Sequence, residues 1–295
     1  MKPFIYSTVI LFILSLTGCV KNNPNPAWLE VNEWTLVENQ NASMPQGELT
    51  HNISQAWVYV NNKIVGVFEV PFKIPILELG SAEIKIYPAI KNNGIGATKK
   101  IYPFMEPFIL NTSLESDETV VIDPVTKYYA NTEFYIEDFE DAAIKFIPNV
   151  NSAAEITVGN DPAILKDFNG NFYGLVVLNN TTDTTWSQAT NFESIQGADL
   201  PRKQEVYLEI DYYNTNSVVT GLLAISPSGT QPNQNIQLNA QDAATVKWKK
   251  IYIDLMELVS NSDPQAYFEH TFQAQIPENT SETFIILDNI KVVHF

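Results

Sequence analysis

The period of the hydrophobic pattern is what most limits this chain. From residue 27 onward, short segments rich in Val, Ile, Tyr and Phe alternate with clusters of Asn, Gly, Pro, Ser and Thr. Within the segments apolar and polar residues alternate at every second position, which fits strands with one buried face. No window sustains a helical period over three turns, and the best helical stretch is the short Asp254–Val259. The pattern predicts an all-β chain built from antiparallel sandwiches. The 295 residues are enough for about two domains.

Two blocks follow a short N-terminal leader. In the first, residues 27–123, two alternating strands Ala56–Val60 and Lys63–Val70 flank Asn61-Asn62. Asparagine tolerates the positive φ of a tight hairpin turn, so the pair predicts a hairpin. Pro71 and Pro75 then restrict the next strand to a sheet edge. The hairpin, its Gly-x-x-x-Val-Pro ending and the Leu79-Gly80-Ser81 turn resemble a small PEGA-like or Ig-like sandwich. The second block, residues 133–295, opens on Asp138-Phe139-Glu140-Asp141. It carries long alternating strands at Glu205–Tyr213 and Val246–Leu255 and closes with Phe284–Val293. That order of elements resembles the galactose-binding-like jelly roll, a fold used by many carbohydrate-binding modules. Residues 124–132 read as a linker that few contacts cross, so the second block is expected to fold alone.

The N-terminus carries a different kind of signal. Met1-Lys2 precedes the apolar run Phe4–Leu16, too short to span a bilayer and suited to a signal peptide. Leu16-Thr17-Gly18-Cys19 resembles the bacterial lipobox, and Cys19 is the sole cysteine of the chain. The resemblance implies a cleaved lipoprotein signal peptide over residues 1–18, diacylglycerol on the Cys19 sulfur, and a lipidated tether over residues 19–26. Val20 stands where an aspartate would resemble an inner-membrane retention signal, which favours the outer membrane. The acidic residues that follow the cysteine in surface-exported lipoproteins of the Bacteroidota are missing, which favours the periplasmic leaflet.

Composition excludes several functions. Against 34 Asp+Glu stand 17 Lys+Arg, a net charge of −17, and Arg202 is the only arginine. Such a chain lacks the electrostatic footprint of a nucleic-acid binder and is repelled by anionic lipid, so its contact with the membrane falls to the anchor. One cysteine rules out an intrachain disulfide framework. His51, His270 and His294 are far apart in sequence, and no nucleophile elbow or phosphate loop occurs.

Two constellations remain. The galactose-binding-like resemblance implies a structural calcium where the first and last strands meet, at positions matching Glu140 and Asp288. Strand parity places Asp288 with Ile290 and Val292 on the buried face, where a lone carboxylate is costly unless paired or metal-bound. The second constellation is a polar-aromatic set. Alternation sends Val206, Leu208, Ile210 and Tyr212 to the core and Tyr207, Glu209, Asp211 and Tyr213 outward, with Tyr252 outward on another strand. Rings that stack on sugar faces, beside carboxylates that accept hydroxyl hydrogen bonds, could hold a glycan. Glu209 and Asp211 share one side of one strand, which suits a polar face rather than an acid/base pair across a cleft.

The sequence therefore reads as a non-catalytic, outer-membrane-anchored lipoprotein. Its partners are proteins of a cell-envelope assembly, for which it acts as a docking subunit, or alternatively a glycan of a polysaccharide-uptake or cell-wall system. Docking is preferred, because nothing in the sequence shows that the outward residues form a concave surface.

Overall fold

The computed structural model describes residues 25–147, 149–166, 168, 170–190, 192 and 200–295; Cys19 and the lipobox lie outside them. Among the described residues almost everything regular is strand, and no helix is long and apolar enough to cross a membrane.

The first sandwich contains β1 (Ala27–Val31), β2 (Thr35–Leu36), β3 (Gln55–Val60), β4 (Lys63–Glu69), β5 (Phe72–Ile76), β6 (Gly80–Lys91), β7 (Lys99–Ile101), β8 (Phe108–Leu114), β9 (Thr119–Ile122) and β10 (Val125–Thr126). One sheet runs β4-β3-β6, with β8 and β7 pairing successive stretches of the long β6. The other runs β5-β1-β9, and β2 pairs with β10 beside it. The expected hairpin is present: Asn61 and Asn62 take φ of 49° and 62° between β3 and β4. Ala56, Val58 and Val60 alternate inward and pack with Ile84 and Ile86 of β6.

The segment expected as a linker belongs to this sandwich instead. β10 lies parallel to β2, Thr126 is buried, and Tyr128 is fully buried against Phe134 at 5.0 Å between ring centroids. Residues 125–128 alternate out and in, so they form a strand and its extension rather than a tether.

The second sandwich contains β11 (Glu133–Glu137), β12 (Phe146–Ile147), β13 (Thr157–Gly159), β14 (Tyr173–Asn179), β15 (Thr185–Thr190), β16 (Val206–Asn214), β17 (Val218–Ser226), β18 (Gly229–Leu238), β19 (Lys249–Asp254), β20 (Tyr267–Gln275) and β21 (Glu282–His294). Its inner sheet runs β13-β14-β21-β16-β19, with β11 pairing the C-terminal half of β21. Its outer sheet runs β12-β15-β20-β17-β18. Trp186, Phe146 and Phe272 meet between the sheets with Leu208, Ile210, Leu287 and Val292.

Each sandwich has its own core, and the second contributes side chains to that of the first. Tyr207 of β16, Tyr252 of β19 and Val293 of β21 pack into the apolar cluster of the first sandwich, with Tyr102 and Phe104. At the rim, Lys100 bridges to Glu205 and Asp254 at 2.9 and 3.0 Å, and the Tyr207 hydroxyl donates to Asn92 at 2.9 Å. The expectation that few contacts cross between the blocks is not met. The outward face of β16 is not solvated; it is the surface on which the first sandwich sits.

Candidate functional site

The polar-aromatic set lies at this junction. Tyr207, Glu209, Asp211 and Tyr252 are buried, with Glu209 wholly inaccessible. Alternation did separate them from the core of their own sandwich, since Leu208 and Ile210 face inward. What alternation could not show is that a second layer covers the other side. Tyr213 alone of the five is half-exposed, and its ring packs against Trp248 and Phe284. These residues do not form an outward glycan face.

They form a buried electrostatic knot. The Glu209 carboxylate accepts from the hydroxyls of Tyr102 at 2.5 Å and Tyr128 at 2.9 Å, and Lys250 Nζ lies at 2.9 Å. Asp211 Oδ2 accepts from Thr50 at 2.5 Å and Asn289 at 2.8 Å, with Lys250 Nζ at 3.3 Å. Burial alone would raise the Glu209 pKa, but Lys250, Lys291 and the Tyr102 hydrogen bond together hold it below its usual value. Burial would likewise lower Lys250, and Asp211 and Glu209 outweigh it, so Lys250 stays charged. The hydroxyls of Tyr102, Tyr128 and Tyr252 are pushed well up by burial and then by Glu209, so they stay protonated; the first two donate to Glu209, and Tyr252 accepts from the Asn52 amide. Lys291 is the least compensated member. Burial, then the charge of Lys250, brings it down to about 7, and its Nζ donates to the Glu48 carbonyl at 2.6 Å.

Both oxygens of Glu209 are taken by partners inside the protein, and Oδ2 of the buried Asp211 is taken by three, so neither residue faces solvent where a substrate could reach it. Sequence reasoning missed Tyr102, Tyr128, Lys250 and Lys291. The available signal was two lysines on strands otherwise rich in β-branched residues, aligned across from two carboxylates; Glu209 pairs with Lys291 on one side and Tyr252 on the other.

Glu140 and Asp288 are brought together, though not as parity suggested. β21 bulges against β16 between Asp288 and Lys291, and Asn289 takes φ of 48°. The extra residue shifts the alternation, so Asp288 lies across from Asp211 on the face opposite Ile290 and Val292. It is buried there all the same. A Cβ on Gly170 would stand 3.2 Å from Glu140 Oε1 and 3.4 Å from Asp288 Oδ2, so both carboxylates border one small volume. Glu140 also accepts from the backbone amides of Asn171 and Phe172. Asp288 Oδ1 accepts from the Asn289 amide, whereas Oδ2 has no partner. Burial, then the negative charges of Asp211, Asp138 and Glu140, raises the Asp288 pKa to about 9. Among the described residues no group of three His, Cys, Asp or Glu side chains converges as a metal site.

The open surface of the second sandwich is the far face of its outer sheet. Cross-strand pairing sets its rows: Ser187, Gln273, Val219 and Gln237; then Ala189, Thr271, Gly221 and Gln234; then Glu269, Leu223 and Pro232. Thr185 and Gln275 extend it at one end, Tyr267 and Ile225 at the other. A Cβ on Gly221 would lie 2.5 Å from Thr271 Oγ1 and 3.0 Å from the Asn233 carbonyl, so the Thr271 side chain fills the space beside this glycine. An open groove of about 370 Å³ is lined by Thr185, Ser187, Val219, Gln273 and Gln275. The five strands contain no Lys, Arg or Asp, and Glu269 is their only carboxylate.

No family model matches the chain, and no curated protein matches it. Solved structures do align. A carbohydrate-binding module of the β-sandwich superfamily with promiscuous specificity is 14% identical, with 80% of this chain and 84% of that chain covered and a TM-score of 0.39. The family 11 carbohydrate-binding module from Clostridium thermocellum, in complex with a β-1,3-1,4-mixed-linked tetrasaccharide, is 13% identical over 54% of this chain and 94% of its own, with a TM-score of 0.35. A module specific for non-crystalline cellulose is 13% identical over 53% and 91%, with a TM-score of 0.38. The ligands in those descriptions belong to those proteins.

The knot makes a pH-dependent prediction. Unfolded Lys291 keeps its proton up to the ordinary 10.5, whereas folded Lys291 releases it near 7. Between those values the unfolded chain binds more protons, so stability gains with rising pH from this group. The cost is complete below about pH 7 and fades above it. The Tm of wild type minus that of Lys291→Met should therefore grow as pH rises from 7 to 10. A difference constant across that range would show that Lys291 is fully charged in the fold.

Proposed function

We propose that this chain is a non-catalytic, lipid-anchored glycan-binding protein of the bacterial outer membrane, and that the open face of β15, β20, β17 and β18 holds the glycan. The observation that carries the reading is a broad solvent-facing sheet almost free of charge. A sheet face kept only for solubility carries interspersed charges of both signs. This one, in a chain with net charge −17, carries carboxamides and hydroxyls beside an open groove along Ser187, Val219 and Gln273. Each sugar hydroxyl is both donor and acceptor, and so are Gln273, Gln275, Gln234, Ser187 and Thr271. Tyr267 and Ile225 supply apolar surface at one end of the same face for a pyranose ring. Diacylglycerol on Cys19 would hold the module at the membrane, in the periplasmic leaflet on the reading of residues 20–26.

Glu140 and Asp288 are proposed to hold a structural calcium. The orphaned, buried Asp288 Oδ2 supports this, because a buried carboxylate oxygen without a protein partner is costly in any protonation state. Calcium is a hard cation that takes several oxygens, and it would draw the rest from backbone carbonyls and water. It would supply positive charge between two carboxylates and nothing catalytic.

Both parts can be tested on the soluble Cys19→Ser protein. Affinity electrophoresis through cellulose derivatives, xylan, mixed-linkage glucan, mannan and peptidoglycan fragments should retard it in at least one gel. Gln273→Ala with Gln275→Ala should weaken that interaction at least tenfold without moving Tm. Retention by none of them, together with a stable protein partner from native membranes, would return the chain to a docking role. For calcium, the Asp288 carboxyl keeps its proton in the fold up to about 9 but loses it at the ordinary 3.8 when unfolded. Its cost is absent in acid and grows as pH rises between those values. Near pH 8, millimolar Ca²⁺ should raise Tm and chelator lower it. Asp288→Asn should abolish the response and be more stable than wild type in chelator. A wild type indifferent to calcium retires the metal.

A further inference from the structure

The first sandwich carries an aromatic surface that nothing above uses. Trp57 and Tyr59 point away from the core of β3, since Ala56, Val58 and Val60 are the buried set. Across the sheet, Trp57 stands between Val67 of β4 and Tyr87 of β6, and Tyr59 between Ile64 and Lys85. Lys85 in turn pairs with Ile109 of β8. The result is a band across four strands on one outer face. Ile64 is 56% and Ile109 49% exposed, and the three aromatic residues are half-exposed. Side chains of this kind on a solvent-facing sheet, contiguous over several strands, mark an interaction surface.

The chemistry of the band selects its occupant. Its cation is already neutralised: Lys85 Nζ lies 2.8 Å from Glu83 and donates to Asn62 at 3.0 Å. A chain with net charge −17 that docked a protein by charge would present acid here, whereas this face is balanced. An uncharged ligand with apolar faces and many hydroxyls fits rings bordered by Glu83, Lys85, Asn62 and Asn111. The Tyr59 and Tyr87 rings are 5.5 Å apart and inclined at 75°. Rings so inclined do not make a flat plane, so they suit a single twisted chain in solution rather than a crystalline surface.

We infer that Trp57, Tyr59 and Tyr87 form a second glycan-binding platform, on the first sandwich, for a soluble neutral polysaccharide. The inference rests on the glycan reading of the second sandwich. The two faces belong to one body, because the side chains that the second sandwich adds to the first core, with the Glu209 knot, join the sandwiches. A polymer long enough to reach both gains from the high local concentration of its second segment, while a short oligosaccharide does not.

The experiment compares the retained polysaccharide with a tetrasaccharide cut from it, using the Cys19→Ser protein. Trp57→Ala with Tyr59→Ala should weaken polymer binding at least tenfold and leave tetrasaccharide affinity at the Gln273 face unchanged. Trp57→Phe with Tyr59→Leu serves as the milder pair if the alanines lower Tm. Polymer binding unaffected by the variants at unchanged Tm, yet lost in Gln273→Ala with Gln275→Ala, overturns the second platform and leaves the first reading intact. No binding of polymer or tetrasaccharide by wild type overturns both. Equal loss of polymer and tetrasaccharide in the Trp57 variants, with Tm held, would show one site rather than two and also overturns the inference.

Discussion

A carboxylate with no access to water organises this protein. Glu209 sits on the middle strand pairing of the second sandwich, yet it is satisfied by Tyr102 and Tyr128 of the first and by Lys250 beside it. Each of these groups is tolerable only because the others are in place. Breaking such a buried pair by removing one partner typically costs about 3–5 kcal/mol, since the survivor is left charged and dry. The knot therefore specifies how the sandwiches dock as well as how strongly. A sideways slip of the first sandwich by one strand position would leave Glu209 without the hydroxyls of Tyr102 and Tyr128, and Asp211 without that of Thr50.

That constraint also decides where function can lie. The inner sheet of the second sandwich gives its far side to the first sandwich around Tyr207, Glu209 and Tyr252, and packs Tyr213 against Trp248 and Phe284. What remains open is the far side of the outer sheet, with its carboxamides and hydroxyls, and the far side of β3 and β6 in the first. The acidic bulk of the chain keeps its charge away from the first of these faces and pairs it off on the second.

Local signals were legible in the sequence, and long-range ones were not. Asn61-Asn62 announced its turn because asparagine tolerates the positive φ that both central residues of a two-residue hairpin need. The strands at 206–214, 249–254 and 282–294 were visible because their alternation is long and regular. The same alternation divided β16 correctly into two faces but could not reveal that both were buried. Lys250 and Lys291 gave no local signal, since the groups they meet are about 40 and 240 residues away. The bulge at Asn289 adds one residue, and one residue is enough to reverse the face of Asp288. Residues 124–132 were misread because Pro124 and Thr132 punctuate a segment whose inner positions, Thr126 and Tyr128, continue the strand pattern.

The claim on which the rest depends is that the two sandwiches are one cooperative body. Hydrogen exchange read by mass spectrometry along a urea series measures it directly, because peptides from β3 and β6 report on the first sandwich and peptides from β17 and β20 on the second. In wild type, both sets should lose protection at one denaturant concentration. In Glu209→Ala the common midpoint should fall, and the β3 and β6 peptides should begin to open ahead of the others. Wild-type sandwiches that open at well-separated concentrations, with Glu209→Ala unchanged from wild type, would contradict the account.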